Sequence, residues 1–137
     1  MNILKYWHKE EGINGFISLA VTQVEEAGVE VEFIFSPEDH KGYYIDGVSL
    51  VVNIWYEDWK ETFLHEYCHF IQNKTKCKEQ RKFIEKPTKK SRMAKLERDC
   101  ELRVVGLMHF LGLDCNNYAE KANNEHLIPY YGDKYAI

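Results

Sequence analysis

Residues Thr62 to Gln72 read Thr-Phe-Leu-His-Glu-Tyr-Cys-His-Phe-Ile-Gln. They sit within a helical pattern spanning about residues 57–73, whose apolar side is supplied by Trp59, Phe63, Leu64, Phe70 and Ile71. Inside it, His65, Glu66 and His69 form the pattern HExxH. Residues four apart share one face of a helix, so two imidazoles at this spacing can converge on a single zinc ion. Glu66 projects beside them. Zinc lowers the pKa of water toward ~7, and a neighbouring glutamate can take the proton as that water attacks a carbonyl. Two histidines and a carboxylate leave a coordination position open for chemistry, whereas closed structural sites are usually completed by cysteines. Cys68 points roughly 60° or more away from either histidine, by the ~100° helical step, and reads as a small core residue.

The flanking sequence places this helix after a small sheet. Over residues 13–27, Ile13, Phe16, Ile17, Ala20, Val21, Val24 and Ala27 recur at spacings of three and four, and Gly28 offers a C-terminal stop. Val29, Val31, Phe33 and Phe35 then alternate as in a strand. After the break at residues 36–42, Tyr43 to Ile45, the turn pair Asp46-Gly47 and Val48 to Trp55 read as a β-hairpin. Beyond the central helix, residues 91–113 predict a long third helix and 118–127 a short fourth. Helix, strand, hairpin and then helices define an α+β class. At 137 residues the chain is expected to form one domain.

Charge is unevenly distributed. Residues 74–98 carry eleven Lys or Arg and three Glu, a net +8, which leaves −12 on the rest of a chain whose formal charge is −4. Such asymmetry marks a surface for phosphates or acidic partners, or a solvated connection kept soluble by its lysines. Residues 74–92 are accordingly expected to be a basic, mobile connection, with Phe83, Ile84 and Pro87 touching the body of the protein. No apolar run is long enough to span a membrane. Residues 1–11 show neither the apolar region nor the cleavage site of an export signal. Cys68, Cys77, Cys100 and Cys115 contain no CxxC pair and read as reduced thiols, so a cytoplasmic location is expected.

A third zinc ligand is needed. An HExxHxxGxxH pattern is excluded, because Gln72 and Thr75 occupy the glycine and third histidine positions. The third helix offers Glu97 and Glu101, four apart on one face, where one can ligate the metal while the other orients a ligand histidine. The run Thr62 to Gln72, followed by Glu-x-x-Cys-Glu at Glu97 to Glu101, resembles the gluzincin metallopeptidases, and in size the compact ImmA/IrrE-type enzymes and small phage-encoded relatives. The resemblance covers about half the chain. It implies a minimal zincin-like fold, in which a small sheet lies beside the active-site helix and a second helix brings a metal ligand. It further implies that Glu97 is the third ligand, Cys100 the small residue and Glu101 an acid behind the ligands. Cys100 stands where the family has alanine, and Glu101 where it has the shorter Asn or Asp. Glu101, Asp99 or a distant histidine therefore stay open as alternative ligands. The expected activity is hydrolysis of a peptide bond in a specific cytosolic protein.

Two further roles follow from zinc peptidase chemistry. A donor is expected to stabilise the oxyanion, drawn from His109, His126, Tyr130 and Tyr131, with His126 and Tyr130 best placed past the third helix to fold back over the metal. An extended substrate is expected to pair with an edge strand, for which Val48 to Trp55 is the candidate, with Asn53 and Trp55 nearest the helix. The alternative is a zinc-containing binding module that uses residues 74–98 to hold nucleic acid or an acidic protein.

Overall fold

The computed structural model describes residues 9–137. The reading of residues 1–11 as lacking an export signal falls mostly outside them. The architecture is α+β, with a three-stranded mixed sheet and helices on either side of it in sequence. The chain divides into two compact units, one ending at Phe70 and the other running Ile71–Ile137.

The first unit begins with α1 (Gly12–Glu26), whose apolar stripe buries Phe16, Ile17, Ala20 and Val24. The helix stops where expected: Gly28 takes φ +84°, a left-handed conformation that only glycine adopts at little cost. Strands β1 (Glu30–Ile34), β2 (Gly42–Ile45) and β3 (Ser49–Asn53) follow. The β2–β3 hairpin closes through Asp46 and Gly47, with Gly47 at φ +72° and the Val48 amide donating to the Ile45 carbonyl at 2.9 Å.

The sheet order is β1-β3-β2, with β1 parallel and β2 antiparallel to β3. This corrects one expectation. The segment proposed as the edge strand for substrate is the central strand, hydrogen-bonded on both sides. Its sequence is consistent with that place, since Leu50, Val51, Val52 and Asn53 are all buried, whereas a half-solvated edge strand alternates. The edges of the sheet are β1 and β2.

Helix α2 (Trp59–Thr75) carries the HExxH pattern and continues past Phe70. Within the first unit its inward side is aromatic. Phe63 and Tyr67 stack at 6.3 Å, the Phe16 ring meets Tyr67 edge-on at 5.6 Å, and Phe33 stacks on Phe63 at 6.1 Å.

The second unit is helical. The basic connection is more ordered than its charge implies: α3 (Lys78–Glu85) forms within it, and α4 (Lys90–Phe110) starts at its far end. Gln80, buried, occupies the inward position of α3 where an apolar residue would have announced an amphipathic helix. Helix α4 buries Ala94, Leu96, Cys100, Glu101, Val104 and Met108. Helix α5 (Cys115–Ala122) is capped by the Asp114 carboxylate, which accepts from the Asn117 amide at 3.0 Å. A π-turn at Asn123–Leu127 leads into α6 (Ile128–Tyr131). The C-terminal residue is tied back by paired hydrogen bonds between the Asn123 side chain and the backbone of Ile137, at 2.7 and 2.9 Å.

Candidate metal centre

On α2 the spacing of His65 and His69 has the expected consequence. The two rings lie 4.7 Å apart between centroids and are nearly perpendicular, at 86°. A ring nitrogen of one lies within 4.8 Å of a ring nitrogen of the other. Modest rotation of the rings lets one ion, ~2.0–2.1 Å from each nitrogen, be shared. Glu66 is on the same side, its Oε1 4.0 Å from His65 Nε2, and is itself buried. Two imidazoles in this arrangement could hold two positions of a metal ion, with the Glu66 carboxylate beside them.

Tyr67, inside the motif, points instead into the core of the first unit. Its hydroxyl donates to Gln23 Oε1 of α1 at 2.5 Å, deep in the first unit. Burial, and to a lesser degree the neighbouring Cys68, push the Tyr67 hydroxyl well above its usual pKa, so it stays a neutral donor. Tyr67→Phe is expected to cost about 1–3 kcal/mol of stability, because a buried acceptor loses this donor. The sign of the pH dependence follows from the raised pKa. The wild type keeps its full contribution from Tyr67 below the unfolded value near ~10 and loses it as pH rises beyond that. Denaturant melts at pH 8 and pH 10.5 check both points, with Tyr67→Phe losing less than the wild type on going alkaline.

The α4 residues occupy distinct environments within the second unit. Glu101 is 1% exposed, and its Oε1 accepts from the Tyr118 hydroxyl at 2.7 Å. Glu97 is half-buried. Asp99, one of the alternative ligands, is committed elsewhere: its Oδ2 accepts from Arg103 Nε at 2.7 Å and from Gln72 Nε2 at 2.8 Å. Gln72 is fully buried and also donates to the Leu96 carbonyl at 3.0 Å, so it ties the last turns of α2 to α4.

The oxyanion candidates are sorted by exposure. His126 is exposed on the π-turn beside Glu125, His109 is exposed near the end of α4, and Tyr130 is 64% exposed. Tyr131 differs. It is half-buried on α6, which packs against α4, and its hydroxyl pKa is raised by burial first, then by the Glu97 charge and by Tyr130. Tyr131 thus lies within the field of the carboxylate read as the third ligand.

Of the two residues expected to meet substrate, Asn53 is enclosed and Trp55 is open. The Asn53 side chain is 0% exposed and is used up on its own loop. Its Oδ1 accepts from the amides of Ser36 and Trp55, both at 3.1 Å, and its Nδ2 donates to the carbonyls of Ser36 at 2.6 Å and His40 at 3.2 Å. Trp55 is half exposed and meets exposed Phe35 edge-on at 5.3 Å. Sequence reasoning missed Gln23, Gln72 and Tyr118. The available signal was a polar residue at a core-spaced position: Gln23 follows Ala20 by three on the apolar stripe of α1. Compared with known proteins, the chain matches no protein-family model, no curated protein and no solved structure.

Proposed function

We propose that this protein is a zinc-dependent peptidase in which His65, His69 and Glu97 hold the metal and Glu66 is the general base. The observation that carries the reading is the pairing of the two imidazoles on one face of α2 with the Glu66 carboxylate 4.0 Å from His65. When bound, the metal supplies the Lewis acidity that polarises a carbonyl and acidifies water.

The protein's own groups do the rest. Glu66 accepts the proton from the attacking water and hands it to the departing amine. Glu101, buried and held by Tyr118, is the acid behind the ligands rather than a ligand. Tyr131 fits the oxyanion donor better than His126 or Tyr130, because it is half-buried on α6 against α4 while those two are exposed. An extended substrate adds to an edge of the sheet, β1 or β2, with Trp55 and Phe35 as an exposed apolar platform.

Elemental analysis of the purified protein tests the ligand set. The expected result is about one zinc per chain in the wild type and in Glu101→Ala, and a large loss in Glu97→Ala. A wild type that neither carries zinc nor takes it up on addition removes the basis for the peptidase reading. Zinc retained by Glu97→Ala and lost from Glu101→Ala exchanges the two acids.

A further inference from the structure

A cleft of about 420 Å³ opens between α3 and α4, lined by Lys78, Lys82, Lys89, Arg92 and Lys95 together with Glu79, Glu85 and Ser91. This is within the range of small-molecule sites, roughly 300–1,000 Å³, and larger than a single ion needs. Its walls are held in place. Arg92 reaches across from α4, donating to the Lys82 carbonyl at 2.7 Å and to Glu85 Oε2 at 3.2 Å, so one cation and one acid of the cleft neutralise each other while joining the helices.

The other four cations are different. Lys78, Lys82, Lys89 and Lys95 are all exposed, and none forms an ion pair among the described residues. Four ammonium groups facing one cleft against the remaining Glu79 repel one another unless an anion enters. The surrounding surface extends the field, since Lys74, Lys76, Arg81, Lys86 and Lys90 belong to the same +8 segment. The rest of the chain carries −12, so a polyanion is drawn to this segment in preference to the remainder of the sequence.

Three features say which polyanion. The extent of the basic surface beyond the cleft calls for a row of negative charges rather than one phosphate. Among the described residues, no aromatic or aliphatic side chain lines the cleft. A single strand would want aromatic stacking platforms, and a protein partner an apolar anchor. Protein interfaces are moreover depleted in lysine, which supplies four of the five cations here. We infer that the α3–α4 cleft binds the phosphate backbone of a nucleic-acid duplex, without reading its sequence. Lysines and a serine hydroxyl are the usual donors to phosphate oxygens.

Fluorescence anisotropy with a short labelled DNA duplex of arbitrary sequence, over a series of salt concentrations, tests this. Four phosphate contacts predict a slope of about −3.6 in log K against log salt, at 0.9 per contact. The double variant Lys82→Gln/Lys95→Gln is expected to flatten the slope by about 1.8, and Lys134→Gln, an exposed lysine outside the cleft, to leave it unchanged. Arg92 is left intact because it holds the helices together. The same strand unpaired, and poly-glutamate as competitor, provide the remaining arms.

Absence of duplex binding at low salt overturns the inference, as does a double variant that binds like the wild type. Tighter binding of the single strand, or full displacement by poly-glutamate at equal charge concentration, replaces the duplex by the other polyanion. The measurement involves neither metal nor hydrolysis, so its failure leaves the peptidase reading untouched, and the reverse.

Discussion

Glu66→Gln is expected to retain zinc and to lose hydrolysis by about 10²–10⁴-fold, the range a positioned general base contributes. The amide is nearly the same shape as the carboxylate, so the His65–His69 pair keeps its geometry. It accepts no proton, however, and the loss falls on kcat rather than KM. The same variant serves as a trap, because substrate binds and is not turned over. Proteins captured by Glu66→Gln and then offered to the zinc-loaded wild type provide the assay. His69→Ala is the contrasting variant: it loses activity by losing the metal, and elemental analysis separates the two routes. Cleavage of captured proteins by Glu66→Gln at the wild-type rate would sink the assignment of Glu66. Cleavage by wild type in the presence of a strong chelator would sink the metal itself.

The second large effect concerns stability. Asn53→Ala is expected to lower stability by about 3 kcal/mol, because the backbone groups of Ser36, His40 and Trp55 lose the fully buried side chain that braces this otherwise exposed loop. For a chain of this size that is a fall in Tm of about 10 °C. Asn53→Asp keeps the acceptor and loses the donor, so it should fall between wild type and alanine, with the new charge in a buried setting adding to the cost. Thermal melts by circular dichroism read both. The experiment also decides the role of Asn53. A residue that binds substrate raises KM and leaves Tm alone, whereas a loop brace lowers Tm. An Asn53→Ala protein that melts with the wild type would return the residue to the substrate side.

The order of elements was legible in the sequence because local rules dominate it. The α1 stripe ended at Gly28, the hairpin turned at Asp46-Gly47 and the two long helices ran within a few residues of their expected limits. Helix α3 was hidden because its inward position is glutamine in a run of lysines, so charge masked periodicity. The place of β3 was hidden for a different reason. Adjacent hairpin strands identify each other, but the parallel partner β1 comes from further back in the chain, and no turn announces that pairing.

For the candidate site the division is similar. HExxH is a contiguous signal on one helix, and its geometry follows from 3.6 residues per turn. His65 and His69, four apart, share a face as the spacing requires, and Glu66, one ~100° step on, reaches to 4.0 Å from His65 through its side chain. The surroundings of Tyr131, the partner of Glu101 and the loop held by Asn53 depend on contacts between residues far apart in sequence. A polar residue on a core face shows in the sequence that a partner must exist, because burial without one is costly. Which residue answers it is decided by packing. Gln23 meets Tyr67, Glu101 meets Tyr118 and Asp99 meets Gln72 only because the tertiary structure brings them within hydrogen-bonding distance.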